Sequence, residues 1–203
     1  GMMKISLIFI LLLAACTTEP VEIHDDNAFL WKLFNDPTIE CTELPDSICV
    51  WEDGRITLLN LFNTELSGPI PDEIGNLTEL KQLGLKSNNL SGGIPESIGN
   101  LSQLTQMSLS GNLLGCLESE GDSCETFCDG GNGCSRTIPE SIGNLKKLTL
   151  LDISHNQLSG SIPKTIGELT ALHTFLADSN NLIGTIPDDI CTIYPNFINY
   201  DLS

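Results

Sequence analysis

The chain repeats one pattern of apolar and polar positions about every 24 residues. The dipeptide Ile-Pro marks the period, and its successive copies lie 24, 44, 24 and 24 residues apart, the longest interval being one period plus 20 residues. These copies are Ile70-Pro71, Ile94-Pro95, Ile138-Pro139, Ile162-Pro163 and Ile186-Pro187. A fixed period of this length is typical of a solenoid, in which each coil buries its apolar side against its neighbours.

Every period predicts the same local structure, and five coils are clear. In the second coil the apolar residues are Leu80, Leu83, Leu85 and Leu90. The alternation of Leu83 and Leu85 predicts a short strand that points both leucines into the coil. Glycine and proline then turn the chain toward the far side of the coil. The strands of successive coils are therefore expected to form one parallel sheet.

An asparagine follows the strand at the same place in four of the coils. These residues are Asn88, Asn112, Asn156 and Asn180, and Thr64 takes the place in the first coil. A side-chain amide both donates and accepts hydrogen bonds, so a stack of asparagines can satisfy the backbone groups of the turn after each strand. We therefore predict an asparagine ladder along the solenoid.

The second half of each period carries a family resemblance. The segment from Leu90 to Leu101, Leu-Ser-Gly-Gly-Ile-Pro-Glu-Ser-Ile-Gly-Asn-Leu, resembles the plant-type leucine-rich repeat of receptor-kinase ectodomains and polygalacturonase-inhibiting proteins. Bacterial surface lipoproteins also carry such repeats. The match runs from about Gly54 to Ile190. It implies an α/β-type solenoid, a right-handed coil with a concave parallel β-sheet, a helical N-terminal cap and a cysteine-rich loop insertion.

The first residues predict export. Lys4 precedes an apolar run from Ile5 to Ala15 that is too short to span a bilayer, which is typical of a signal peptide at 1–15. Its end, Leu-Ala-Ala-Cys16, resembles the bacterial lipobox, which implies acylation of Cys16 and a lipid-anchored tether at 16–24. We expect an outer-membrane lipoprotein on the periplasmic or cell-surface side. The alternative is an ordinary cleaved signal peptide with a chance cysteine.

Residues 25–53 predict an N-terminal cap, followed by repeats over 54–203. An amphipathic helix is expected from Asp25 to Pro37, with Asp26 or Asn27 as its N-cap. Its apolar face comprises Phe29, Leu30, Leu33 and Phe34. The residues Cys41, Cys49 and Trp51 resemble the cap of plant-type repeats, which implies a Cys41–Cys49 disulfide and a tryptophan that covers the first coil.

The remaining cysteines concentrate in an insertion at 115–135. With an export signal, eight cysteines favour disulfides, because an oxidising compartment preserves them. We predict two local disulfides among Cys116, Cys124, Cys128 and Cys134, with three connectivities open. Acidic residues of the same loop offer calcium ligands, but without the EF-hand order, so we expect neither a metal site nor another cofactor. Cys191 is expected to be a buried free thiol.

Charge and motifs exclude several functions. A net charge of -18 would repel phosphate, so DNA, RNA and direct lipid binding are not expected, and membrane contact would come through the anchor only. Asp152, Ser154 and His155 could suggest a catalytic triad. They occupy ordinary strand and turn positions of the repeat, and the buried base and oxyanion hole that acyl transfer needs are not indicated. We therefore predict no enzymatic activity.

The concave strands are where a binding site is expected. Residues that alternate with the core leucines face outward together. The candidate partner-binding residues among them are Leu58, Phe62, Lys86, Asp152, Leu176 and Asp178. We expect Phe62 and Leu58 to give an apolar end. Asp152, Asp178 and Asp201 are expected to give an exposed acidic end. The predicted function is a monomeric, non-enzymatic binding protein for a protein, a peptide or a glycan. The alternative is an inhibitor of a secreted hydrolase.

Overall fold

The computed structural model describes residues 26–115, 136–193, 195 and 199–201. The helix and strands are α1 (Asn27–Phe34), β1 (Cys49–Glu52), β2 (Arg55–Asn60), β3 (Ser67–Pro69), β4 (Gln82–Gly84), β5 (Asn89–Ser91), β6 (Gln106–Ser108), β7 (Leu150–Asp152), β8 (Ser159–Gly160), β9 (Thr174–Leu176), β10 (Asn181–Leu182) and β11 (Asn199–Asp201). In these residues seven strands form one sheet, in the order β1, β2, β4, β6, β7, β9 and β11. Strands β1 and β2 are antiparallel and the others are parallel, which confirms the predicted leucine-rich-repeat solenoid.

The sheet keeps its register across the insertion. Leu83 pairs with Met107, which pairs with Leu151, although the second pair is 44 residues apart. The backbone amide of Leu114 also donates to Asn156 Oδ1 of the following coil at 3.1 Å. The coils on either side of 116–135 therefore stack as direct neighbours, as predicted. The cysteines predicted to pair there lie outside the described residues.

The asparagine ladder is present as predicted. Asn88 Nδ2 donates to the carbonyl oxygens of Leu61 at 2.7 Å and Leu85 at 3.0 Å, and its Oδ1 accepts from the amide of Leu66 at 3.1 Å. Each amide thus joins two coils by bonding to backbone groups of the turns that follow the strands. Asn112, Asn156 and Asn180 repeat the same arrangement.

Two small parallel sheets follow the ladder, and the sequence pattern had suggested only turns there. Strand β3 pairs with β5, and β8 pairs with β10. Their two or three residues per strand are too short to show an alternation of apolar and polar positions. Only the stacking of one coil on the next creates these strands.

Short 3-10 turns form the convex side of the solenoid. They span Asp72–Asn76, Glu96–Asn100, Glu140–Asn144, Lys164–Glu168 and Asp188–Thr192. The extended backbone of the preceding proline, with φ near -68° at Pro95, sets the start of a turn. A buried glycine in each of the first three turns lets the next coil approach closely, because a Cβ on Gly99 would lie 2.6 Å from Ser141 Cβ.

Cys191 contradicts its prediction. It occupies the position of this glycine in the fifth turn, and we expected a buried thiol there. It is a free and exposed cysteine. In the described part of the chain no further 3-10 turn packs on the Asp188–Thr192 turn, so nothing covers this position as Ser141 covers Gly99.

The N-terminal cap closes the other end of the core. Phe29, Leu30 and Leu33 of α1 are buried, whereas Phe34 is half-buried. The predicted disulfide joins Cys41 and Cys49, whose Cα atoms lie 5.5 Å apart. Trp51 packs against the core from a half-buried position, consistent with its expected covering role.

Neither candidate for the N-cap of α1 caps it with a side-chain hydrogen bond. Asp26 is fully buried and instead accepts from Arg55 Nε at 3.1 Å and from the amide of Ile56 at 2.8 Å. Asn27 Oδ1 accepts from the amide of Cys41 at 3.1 Å. Asp26 thus binds the first coil and Asn27 binds a later segment of the cap, which helix-capping rules do not anticipate.

Among the described residues no helix is long and apolar enough to cross a membrane.

Candidate binding site on the concave sheet

The concave surface is built from side chains that the repeat does not need for its core. Strand register aligns them into columns, as the sequence predicted. One column is Leu58, Gln82, Gln106, Leu150 and Thr174, and the next is Asn60, Gly84, Ser108, Asp152 and Leu176. The residues between the columns, such as Leu83 and Met107, are buried in the core. The columns are therefore free to serve a ligand.

A depression of about 280 Å³, here called the central depression, crosses the middle of this sheet. It is lined by Leu59, Asn60, Gln82, Leu83, Gly84, Gln106, Ser108, Leu150, Asp152 and Leu176. Gly84 leaves the gap open, because a Cβ at this position would lie 2.7 Å from Asn60 Oδ1. Gln82 and Gln106 are exposed at its wall. The depression thus offers amide groups, a carboxylate and two leucine side chains, Leu150 and Leu176.

Asp152 lies in the floor of this depression and not at an exposed acidic end. It is only 8% exposed. Its Oδ1 accepts from the amide and hydroxyl of Ser154 at 3.2 and 2.7 Å, and its Oδ2 accepts from the hydroxyls of Ser110 at 2.8 Å and Ser108 at 3.4 Å. These serines close around the carboxylate, which corrects the prediction that Asp152 would be a solvated charge.

Asp178 is also less exposed than expected, with 17% of its side chain accessible. Its Oδ2 lies 3.5 Å from His155 Nδ1 and accepts from the Ser179 hydroxyl at 3.2 Å. Asp152 and Asp178 therefore have different hydrogen-bond partners. Asp178 belongs to a polar group with His155 and Ser179 and is not among the residues that line the central depression.

The other candidate residues lie in different parts of the surface. Phe62 is 56% exposed and Lys86 is exposed, both beyond the ends of their strands. Leu58 is half-buried on β2. Of the six candidates, only Asp152 and Leu176 line the central depression. Phe62, Leu58, Lys86 and Asp178 do not line it.

The prediction missed most of the depression. Asn60, Gln82, Gly84 and Gln106 alternate with core residues and face outward, but they were not among the candidate binding residues. A glycine at a strand position where the other coils carry side chains was the available signal, because it indicates a gap in the surface or a close approach to another group. Small and neutral side chains give a weaker signal of binding in a sequence than aromatic or charged ones.

The groups that suggested a catalytic triad do not form one. The Ser154 hydroxyl donates directly to Asp152, and the imidazole of His155, 67% exposed, faces Asp178. The hydroxyl-to-imidazole hydrogen bond of a serine triad is therefore not made within the described residues. In the same part of the chain no group of three or more His, Cys, Asp or Glu side chains could hold a metal ion.

Comparison with known proteins agrees with this architecture. The model of the Leucine Rich Repeat family matches residues 55–77, 79–101 and 147–169. The structure of PEPR1-AtPEP1 is similar with 25% identity and a TM-score of 0.69, covering 88% of this chain and 24% of that chain. No curated protein sequence matches the chain.

Two structures from Arabidopsis thaliana are also similar. The BIR3 - SERK2 complex matches with 29% identity and a TM-score of 0.62, over 87% of this chain and 94% of that chain. The receptor kinase HAESA, in complex with the peptide hormone IDA and the co-receptor SERK1, matches with 25% identity and a TM-score of 0.61, over 83% of this chain and 25% of that chain. The chain thus spans about a quarter of PEPR1 and HAESA. It carries leucine-rich repeats and has the fold of plant receptor ectodomains.

Proposed function

We propose that the chain is a non-enzymatic binding protein that holds an extended segment of a protein or peptide across its concave sheet. The observation that carries this proposal is the central depression, which is lined by side chains that the repeat does not require. The structures of HAESA with a peptide hormone and of BIR3 with SERK2 support a role of this fold in peptide and protein recognition.

The dimensions of the sheet suit such a segment. Six parallel strands spaced ~4.8 Å apart make a surface about 24 Å long. At ~3.3 Å per residue, an extended peptide of about seven residues would cross it. Exposed amides at Gln82 and Gln106 could pair with the backbone of that peptide, while Phe62 would contact one end.

We further propose that the protein is exported and anchored through an acylated Cys16. The lipobox-like Leu-Ala-Ala-Cys16 supports the anchor, and the similarity to receptor ectodomains supports export. Two or three acyl chains hold a protein on a membrane where one binds reversibly. The concave sheet would then face ligands outside the cytoplasm.

The binding proposal can be tested by filling the depression. A library of random linear peptides is selected on the wild-type protein, and binding of the recovered peptides is then measured on Gly84→Leu. The leucine would occupy the gap, and its Cβ would come closest to the exposed side chain of Asn60, 2.7 Å from Oδ1, which can shift. We expect most selected peptides to lose binding to this variant.

The matched control is Ser102→Leu, which adds the same apolar side chain at an exposed position outside the concave sheet. It should bind the peptides as the wild type does. Thermal unfolding of both variants would establish that each is folded. Peptides that bind Gly84→Leu as tightly as wild type would contradict the concave-face assignment.

A further inference from the structure

Asp152 is an anion without a cation in the centre of the concave sheet. Its four hydrogen-bond donors are three serine hydroxyls and one backbone amide, all of them neutral. In the part of the chain that the structure describes, no Lys, Arg or His forms an ion pair with it. A carboxylate that is largely withdrawn from water retains an unfavourable desolvation that a cation would offset.

The repeat does not require an acid at this position. The same column carries Asn60, Gly84, Ser108 and Leu176 in the other coils, and those strands keep their register. A neutral side chain would therefore serve the stacking equally well. The charge of Asp152 is more simply explained by a group that comes from outside the chain.

The surroundings of Asp152 suit a single long side chain with a cationic end. The central depression, about 280 Å³, lies just below the ~300–1,000 Å³ typical of small-molecule pockets. Leu150 and Leu176 can pack against an aliphatic stem, and the amide oxygens of Gln82 and Gln106 can accept from N–H groups. The hydrogen bond from the Ser108 hydroxyl to Oδ2, 3.4 Å, is the longest of the four, and Ser108 is itself a lining residue, so we expect the ligand to bind at this oxygen.

The charge of the whole protein favours the same ligand. With 27 acidic and 9 basic residues, the chain attracts cations over long range and repels anions. This attraction is not specific by itself. The buried carboxylate adds a defined position at which one cationic group is held.

We infer that the central depression is a subsite for one arginine or lysine side chain of a peptide ligand, bound through Asp152. This inference rests on the proposed function, since it names the chemistry of the ligand at the same surface. It predicts that the protein selects peptides with a basic residue at one fixed position.

The test uses the random-peptide selection described above. A recovered peptide is resynthesised with its basic residue replaced by citrulline, the uncharged isostere of arginine, or by norleucine in place of lysine. Both peptides are titrated against the wild type and Asp152→Asn. Charge-assisted hydrogen bonds support a loss of roughly ten- to a hundredfold in affinity for either change. The two losses should not add, because each removes the same interaction.

Two further variants separate a local contact from a general charge effect. Glu140→Gln removes one negative charge from an exposed position of a convex turn and should leave peptide affinity unchanged. Gln106→Glu adds a carboxylate to the wall without altering the buried serine cluster. This variant should bind the basic peptide more tightly than the wild type does, and its affinity for the uncharged analogue should not increase. Gln106→Glu keeps the test decisive if Asp152→Asn fails to fold in a thermal unfolding control.

The outcomes distinguish this inference from the proposed function. If selected peptides lose binding to Gly84→Leu but share no basic residue, the subsite is refuted and concave-face binding stands. The same conclusion follows if replacing the basic residue costs as much affinity for Asp152→Asn as for the wild type. An unchanged affinity for Gln106→Glu also refutes it. If no selected peptide responds to Gly84→Leu, the proposed function fails and the subsite fails with it.

Discussion

Gly99, in the convex turn Glu96–Asn100, offers a sharp test of how the coils pack. In Gly99→Ala the new Cβ would lie 2.6 Å from Ser141 Cβ and 2.7 Å from the Ser141 carbonyl oxygen of the next coil. Neither distance is possible in a folded protein, so the two coils have to separate locally. One of the two contacts is to backbone, which cannot turn away as a flexible side chain would.

Two opposing effects set the size of the change. Gly99 does not have a left-handed backbone, so alanine fits its conformation and would stabilise by about 0.4–1 kcal/mol through the unfolded chain. Overpacking of a buried contact costs about 1–3 kcal/mol. The overlap should win, and we expect Gly99→Ala to lower the free energy of unfolding by about 1–2 kcal/mol. Urea unfolding of the disulfide-intact protein would measure it.

Cys191 provides the matched control, since it occupies the same place in a turn without a further described turn packed on it. Comparing Cys191→Ala with Cys191→Gly gives the effect of alanine against glycine without the overlap. Alanine should be the more stable of that pair by about 0.4–1 kcal/mol. The opposite signs at positions 99 and 191 would isolate the cost of the close approach.

A second substitution checks the identity of the overlapping group. Ser141→Gly removes the Cβ and should recover part of the loss in Gly99→Ala, while the contact with the Ser141 carbonyl remains. Ser141→Ala should cost little, because no hydrogen-bond partner of the buried Ser141 hydroxyl lies among the described residues. If Gly99→Ala unfolds at the wild-type urea concentration, or if alanine is equally unfavourable at position 191, the reasoning is refuted.

Three further predictions concern the anchor, the insertion and the concave surface. In a bacterial host the protein should partition with membranes, and Cys16→Ala should release or misprocess it; unchanged partition would contradict the anchor. The thiols of Cys116, Cys124, Cys128 and Cys134 should be oxidised by mass spectrometry, and deletion of 116–135 should leave a folded stack, because the coils on both sides already pair; free thiols in oxidised protein would refute the disulfides. For a partner that covers the first coil, Phe62→Ala should weaken binding by more than about 1 kcal/mol in calorimetry, since exposed aromatics often anchor interfaces. A partner affected by the deletion alone would show that the concave surface is not its binding site.

The sequence by itself determined the repeat, the parallel strands of the concave sheet and the ladder. Each coil repeats the same local solution, so the 24-residue period predicts which residue pairs with which, including Met107 with Leu151 across the insertion. Asn88 and its equivalents follow from the same spacing. The Cys41–Cys49 disulfide followed from the resemblance of the cap to plant-type repeats.

The tertiary structure decided how deep each outward-facing residue lies. Asp152 is buried because Ser108 and Ser110 of the preceding coil, 44 and 42 residues away, close around its carboxylate. Gly84 opens a depression only because Asn60 and Ser108 lie on either side of it in the neighbouring strands. A period of two tells which face of a strand a residue occupies, whereas its exposure depends on the size and polarity of side chains on neighbouring coils.

The two ends of the solenoid show the same division. Asp26 or Asn27 was predicted to cap helix α1, but in the folded protein Arg55 and the amide of Ile56 bind the Asp26 carboxylate. Cys191 shares the sequence position of the buried glycines, yet it is exposed because no further described turn lies against it. Within the array the repeat pattern predicts the environment of the core-facing positions, since every coil has the same neighbours there. At the ends the neighbours differ, and only the folded chain specifies what they are.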